Sequence, residues 1–229
     1  MILRYHEKQS IMKIEAVIFD MDGVLVDSEG LWKIAEKEVF SSLGVVVTEK
    51  LSHKTQSMTT DQVTQFWFER YPWEGTSHQE VEQMVVDRVI ELIQNENCAI
   101  KGIKSFIEKL RSEGLKVGLA TNSPFKIIDP VLKKSGISHL FDAISSAEFE
   151  KQGKPAPDIY LTTAKKLSVN PKHCVAIEDS NSGIQAAHAA GMKAVAFTNN
   201  KKNGHHYIVD LIIDDFEVET LPLLEKNKV

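Results

Sequence analysis

The sequence predicts an α/β fold, a doubly wound parallel sheet with a small α-helical cap inserted after the first strand. Short apolar runs (AVIF, KVGLAT, CVAIED, KAVAFT) recur with helix-length segments between the later ones. That pattern is typical of a parallel sheet covered on both faces. Residues 28–97 break it with helical periods alone. Acids, a threonine and a lysine stand at or near the ends of the apolar runs, where open α/β sheets bind their ligands.

The first strand, residues 16–19, runs into Asp20, with Asp22 two positions on. Residues i and i+2 of a strand share a face, so the two carboxylates converge and repel unless a cation or shared proton relieves them. Leu31, Ala35, Val39 and Leu43 then recur every four residues, one face of a helix. A second helix is expected around Val63, Phe66, Trp67 and Arg70. A third opens at SHQE (77–80), a capping-box pattern, and continues through Val81, Met84, Val85, Val89 and Leu92. Past residue 99, helix and strand alternate. Ile103, Phe106, Ile107 and Leu110 make a stripe that Gly114 ends. Strands are expected at 116–121, 174–179, 193–198 and 211–214, with helices near 125–135, 158–167 and 180–190. The core is therefore assigned to residues 13–27 and 98–229 and the cap to 28–97, while residues 1–12 read as a disordered extension.

Composition narrows the partners. Hydrophobic residues make up 42% of 229 and charged ones 26%, enough for a real core. A net charge of −5 without a basic run excludes a nucleic-acid footprint. No apolar stretch reaches membrane-spanning length, and no secretory signal opens the chain. Cys98 and Cys174 are far apart without a CxxC pair, as expected of buried thiols in a cytoplasmic protein. Nothing demands more than a monomer. His205 and His206 have no ligand set around them and read as a solvated loop. His188 reads as a packing or surface residue, and Phe66, Trp67 and Trp73 as cap core.

The strand ends form one chemical set. The first delivers Asp20 and Asp22, the second Thr121 and Asn122, and the third Glu178 and Asp179, with Lys154 between them in GKPAPDIY. Several acids, one lysine and a hydroxyl suit a hard cation such as Mg²⁺ together with a phosphate group. The cation would relieve the repulsion at Asp20 and Asp22.

DMDGVLVDSE resembles the first motif of the haloacid dehalogenase-like hydrolases, DxDGxxxDS/T. LATNS resembles their second motif, the lysine of GKPAPDIY their third, and IEDSNSGIQAAHAAGM their fourth. The likeness runs in motif order through nearly all of the chain after Ile14 and includes the cap position. It points to the β-phosphoglucomutase-like branch. Within that branch, DSEGLW, YPWEG, LATNSP and YLTTAKKL most resemble the hexitol phosphatase and 2-deoxyglucose-6-phosphatase group.

The resemblance implies a role for each residue. Asp20 would attack phosphorus and become an aspartyl-phosphate. Asp22 would protonate the leaving oxygen and then deprotonate the hydrolytic water. Mg²⁺ would be held by Asp20, the backbone carbonyl of Asp22 and Asp179, with Glu178 supporting it indirectly. Thr121, the Asn122 N–H and Lys154 would bind the phosphate oxygens, which Asp20 and Asp22 also contact. The expected substrate is a small phosphorylated sugar or sugar alcohol. Sugar phosphomutases share this cap, but their pattern DTxxxH has a histidine where this chain has Trp32; the departure favours hydrolysis. A phospho-signalling receiver domain also uses strand-end acids, a hydroxyl and a lysine. Receivers place adjacent acids on the first strand, are about half this length and carry no cap.

Overall fold

The computed structural model describes residues 13–56, 58–200 and 208–217. β1 (Ala16–Phe19) leads into α1 (Glu29–Ser42), α2 (Glu49–Thr55), α3 (Thr60–Phe68) and α4 (His78–Asn95). There follow α5 (Ile103–Ser112), β2 (Lys116–Thr121), α6 (Phe125–Lys134), β3 (Ala143–Ser146), α7 (Asp158–Leu167), β4 (Cys174–Glu178), α8 (Asn181–Ala189), β5 (Lys193–Phe197) and β6 (Leu211–Ile213). All six strands are parallel, in the order β3-β2-β1-β4-β5-β6. The winding reverses between β1 and β4, and such a switch point opens a crevice at the carboxyl ends of the two strands.

Alternation along the strands sorts the helices into layers. Ala16 and Ile18 of β1, Ala176 of β4, and Ala194 and Ala196 of β5 pack in one cluster with Ile159 and Tyr160 of α7 and Ile184 of α8. Val17, Phe19, Val175, Ile177, Val195 and Phe197 face the other way, onto Ile103, Phe106 and Ile107 of α5 and Ile127 and Val131 of α6. Small residues on the first face let α7 come close: a Cβ on Gly118 of β2 would stand 2.8 Å from Thr163 Cγ2. The second face is filled by larger side chains, as close packing requires.

The helical cap lies in the chain between β1 and α5. Ser77 and Thr59 both form capping boxes, closing the first turns of α4 and α3. Trp67, Trp73 and Phe66 are buried, with Phe40 and Trp67 rings 5.9 Å apart, so aromatic rings fill the interior of the cap. The two chain crossings lie side by side. Asp27 N–H bonds the Cys98 carbonyl at 2.7 Å, and Ile100 N–H bonds the Leu25 carbonyl at 3.0 Å. Gly114 has φ +83° and ends the turn after α5, as its position suggested.

Three readings of the sequence need correction. β3, with the sequence AISS, lacks a long apolar run and was not foreseen, so Glu178 ends the fourth strand, not the third, and Asp179 follows it. α2, EKLSHKT, is too polar to show a stripe and was not separated from the helical block. Arg70 lies beyond the end of α3; its guanidinium stands 3.6 Å from the Phe66 ring centroid and Nη1 donates to the Phe66 carbonyl. Cys98 and Cys174 are buried, and His188 is exposed on α8, 3.3 Å from Asp210. Residues 1–12 and His205 and His206 lie outside the described residues.

Candidate active site

Asp20 emerges where β1 stops. Its N–H still bonds the Ile177 carbonyl at 3.0 Å, which fixes the carboxyl at the strand's exit between β1 and β4. The chain then tightens: the N–H groups of Val24, Leu25 and Val26 all turn to the Met21 carbonyl. Gly23 within this loop has φ +77°, and a Cβ there would stand 1.8 Å from Asp179 Oδ2. Glycine alone lets the turn and Asp179 share that space.

The loop aims Asp22 toward the cap. Its Oδ1 accepts from Ser28 Oγ and, at 2.8 Å, from the Trp32 indole N–H at the start of α1. Its Oδ2 accepts from Ser123 Oγ at 2.6 Å, just after β2. Asp22 is thus tied both to the start of α1 and to the turn after β2.

Lys154 occupies the centre. Its buried ammonium donates to Asp20 Oδ1 at 2.6 Å, Glu178 Oε1 at 2.6 Å and the Ala120 carbonyl at 2.8 Å, which matches its three protons. The Asn122 side chain holds the lysine's own backbone, accepting from Lys154 N–H at 2.8 Å and donating to Lys154 O at 3.3 Å. Thr121 Oγ1 accepts from Ser123 N–H at 3.0 Å, closing the turn after β2. Glu178 is fully buried and also accepts from Tyr160 Oη and Ser180 Oγ. A Cβ on Gly183 would stand 1.9 Å from Glu178 Cδ, so α8 starts tight against this carboxylate.

Asp20, Glu178 and Asp179 each place a carboxylate oxygen within 4.8 Å of the others. Among the described residues no hydrogen bond engages the Asp179 side chain, whereas both Glu178 oxygens already have donors. Burial first, and the Glu178 charge next, push the Asp20 carboxyl up to about 7 against the pull of Lys154. Asp179 is pushed up by burial and then by Asp20 and Glu178. Burial alone would lower Lys154, but the two carboxylates outweigh it and hold the ammonium charged. Three acids therefore face one cation. A hard divalent ion with oxygen ligands fits that imbalance, with Asp20 and Asp179 as its carboxylate donors.

One cavity of about 590 Å³ is lined by Asp20, Asp22, Thr121, Asn122, Lys154 and Asp179, while Glu178 is fully buried and does not reach its wall. Sequence reasoning missed Ser28 and Ser123, which hold Asp22, and Tyr160, which holds Glu178. A hydroxyl supporting a carboxylate leaves no periodic signal. Of the α1 wall, sequence reasoning singled out Trp32 but missed Glu29, Lys33 and Glu36, which line the cavity with it at the i, i+3, i+4, i+7 spacing of one helix face.

The profile of the haloacid dehalogenase-like hydrolases matches residues 14–191. The chain belongs to this family. Hexitol phosphatase B of Escherichia coli (strain K12) is 41% identical over 184 residues, spanning 80% of this chain and 83% of that one. A phosphorylated carbohydrates phosphatase of Thermotoga maritima is 32% identical, over 80% of this chain and 84% of its own. Among solved structures, a β-phosphoglucomutase of Clostridium difficile superposes with a TM-score of 0.77 at 29% identity, covering 89% of this chain and 92% of the other. The chain is a hydrolase of the phosphatase kind that these curated relatives represent, on the β-phosphoglucomutase-like version of the fold. Among the described residues no helix is long and apolar enough to cross a membrane.

Proposed function

We propose that the protein is a Mg²⁺-dependent phosphatase of small phosphorylated sugars or sugar alcohols, hexitol phosphates and 2-deoxyglucose 6-phosphate among them. The observation that carries this reading is the Lys154 bridge, a buried ammonium joining Asp20 to Glu178 with Asp179 alongside. Such a centre both orients a carboxylate nucleophile and balances charge arriving on a phosphoryl group.

Asp20 attacks phosphorus, a bond to the aspartyl oxygen forms, and the bond to the sugar oxygen breaks. Asp22, held by Ser28, Trp32 and Ser123, gives its proton to that leaving oxygen. Water then attacks the aspartyl-phosphate, Asp22 takes a proton from it, and inorganic phosphate leaves with Asp20 regenerated. Thr121, the Asn122 N–H and Lys154 meet the phosphoryl oxygens throughout. Asp20, Asp179 and the Asp22 carbonyl would hold Mg²⁺, whose charge offsets that of the phosphoryl oxygens. The cap closes over the leaving group to exclude bulk water during the first step. The enzyme acts as a cytoplasmic monomer in this reading, in keeping with its two buried, unpaired cysteines.

A phosphate-release screen over hexitol, hexose and 2-deoxyhexose phosphates, with and without chelator, tests the proposal. Release from hexitol phosphates that chelator abolishes is the expected result. No release from any ester, or full rate in excess chelator, overturns it.

A further inference from the structure

α1 has two working faces. Ala35, Val39 and Phe40 are buried in the cap core, while Glu29, Trp32, Lys33 and Glu36 line the catalytic cavity. Trp32 marks the reacting end, because its indole N–H is bonded to Asp22. Glu36 stands one turn farther along the helix, about 6 Å of rise beyond it. Lys33 and Glu29 satisfy each other at 2.6 Å. Glu36 is different: among the described residues no hydrogen bond or ion pair engages its carboxyl, although the side chain is half-buried in the cavity wall. No arginine lines the cavity among the described residues.

We infer that Glu36 selects the far end of the substrate, accepting hydrogen bonds from the hydroxyls of an uncharged polyol chain and repelling esters that end in a second anion. The inference rests on the phosphatase reading and names the substrate class within it. A partly buried carboxyl without a partner is costly, and hydroxyl donors would satisfy it. Burial, against the nearby Lys33, pushes Glu36 up to about 7; below that pH the carboxyl can donate as well as accept, and above it the carboxyl is an anion. A terminal phosphate or carboxylate would meet like charge in a site with no unpaired guanidinium to receive it, the repulsive element that specificity requires.

The test compares sorbitol 6-phosphate with 6-phosphogluconate, which carry the same carbon chain and differ at the far end, CH₂OH against carboxylate. Acetyl phosphate, with no chain to reach Glu36, reports the core chemistry. The wild type should prefer sorbitol 6-phosphate. Glu36→Gln should narrow that preference in kcat/KM by about 10-fold, and Glu36→Ala should lower kcat/KM for sorbitol 6-phosphate by roughly 10- to 100-fold. Both variants should hydrolyse acetyl phosphate within about 3-fold of wild type. An unchanged sorbitol-to-gluconate ratio in Glu36→Gln overturns the inference and leaves the phosphatase reading standing. Loss of acetyl phosphate hydrolysis in both variants makes Glu36 structural and equally overturns it. Failure of the wild type on all three esters removes the phosphatase reading, and the inference with it.

Discussion

Asp20 and Asp22 are two residues apart and have opposite surroundings, which is why one chemistry can need both. Asp20 is buried against Lys154, while Asp22 is held by a serine and an indole from the cap side and by Ser123. Asp20→Asn should therefore lose turnover altogether, since an amide cannot form the acyl phosphate. Asp22→Asn should keep the nucleophile and lose proton transfer, a cost of about 10²–10⁴-fold. Single-turnover assays with a hexitol phosphate separate the two, and wild-type-like turnover by Asp20→Asn would sink the covalent mechanism. Gly23 offers a test of the proposed metal end that removes no ionisable group. A methyl there meets Asp179 Oδ2 at 1.8 Å and also strains φ +77°. Gly23→Ala should raise the Mg²⁺ concentration needed for half-maximal rate well above that of wild type, and an unchanged Mg²⁺ titration would separate Gly23 from the metal.

At the scale of elements, α1 would join selectivity to catalysis in the proposed mechanism, because the helix that lines the cavity also donates to Asp22 through Trp32. Trp32→Phe keeps an aromatic ring, though a smaller one, and removes the donor, so kcat for hexitol phosphates should fall by roughly 10-fold while Ser28 and Ser123 still orient the carboxylate. Product analysis completes the test: a β-hexose 1-phosphate with a trace of bisphosphate should give inorganic phosphate and free sugar, and accumulation of the 6-phosphate isomer would overturn the reading of Trp32. The site's ends were legible in the sequence because apolar runs stop abruptly at Asp20, Thr121 and Glu178, and a buried strand announces its terminus by its first charge. α7 was legible too, since DIYLTTAKKL has a helical stripe and a proline just before it. β3 and α2 were not. Four residues of AISS and seven of EKLSHKT are too short or too polar for a period to show, and neighbours settle their conformation. The roles of Asn122 and Tyr160 as supports were invisible for another reason: they act on residues 32 and 18 positions away, a relation only the fold creates.

Across the whole molecule, cap and core share one apolar cluster that runs from Val81 and Val85 of α4 to Phe106 and Ile127 under the sheet. The ion pair between α4 and α6, Lys126 to Asp87 at 2.5 Å, is about half exposed and adds little. Opposing this apolar union is the acid-rich centre, and that conflict links folding to pH and metal. Asp20 has its carboxyl raised from 3.8 to about 7, and Asp179 is raised as well. Between those limits the folded protein keeps protons that the unfolded chain has released. The unfolded state then binds fewer protons, so the stability of the metal-free protein falls as pH rises through about 4 to 7. Mg²⁺ competes with those protons for the same oxygens, so its stabilising effect should grow with pH. At a hundredfold excess over Kd the metal contributes about 2.7 kcal/mol, which for a chain of this size is a Tm increase of about 5–10 °C. Thermal unfolding with Mg²⁺ and with chelator, at about pH 5 and about pH 8, should show most of that increase at the higher pH and little at the lower. Asp179→Asn removes one of the raised carboxyls, so without metal it should lose less stability with rising pH, and it should respond weakly to Mg²⁺ at either pH. A Tm increase of equal size at both pH values would mean that the metal does not replace protons on these carboxylates.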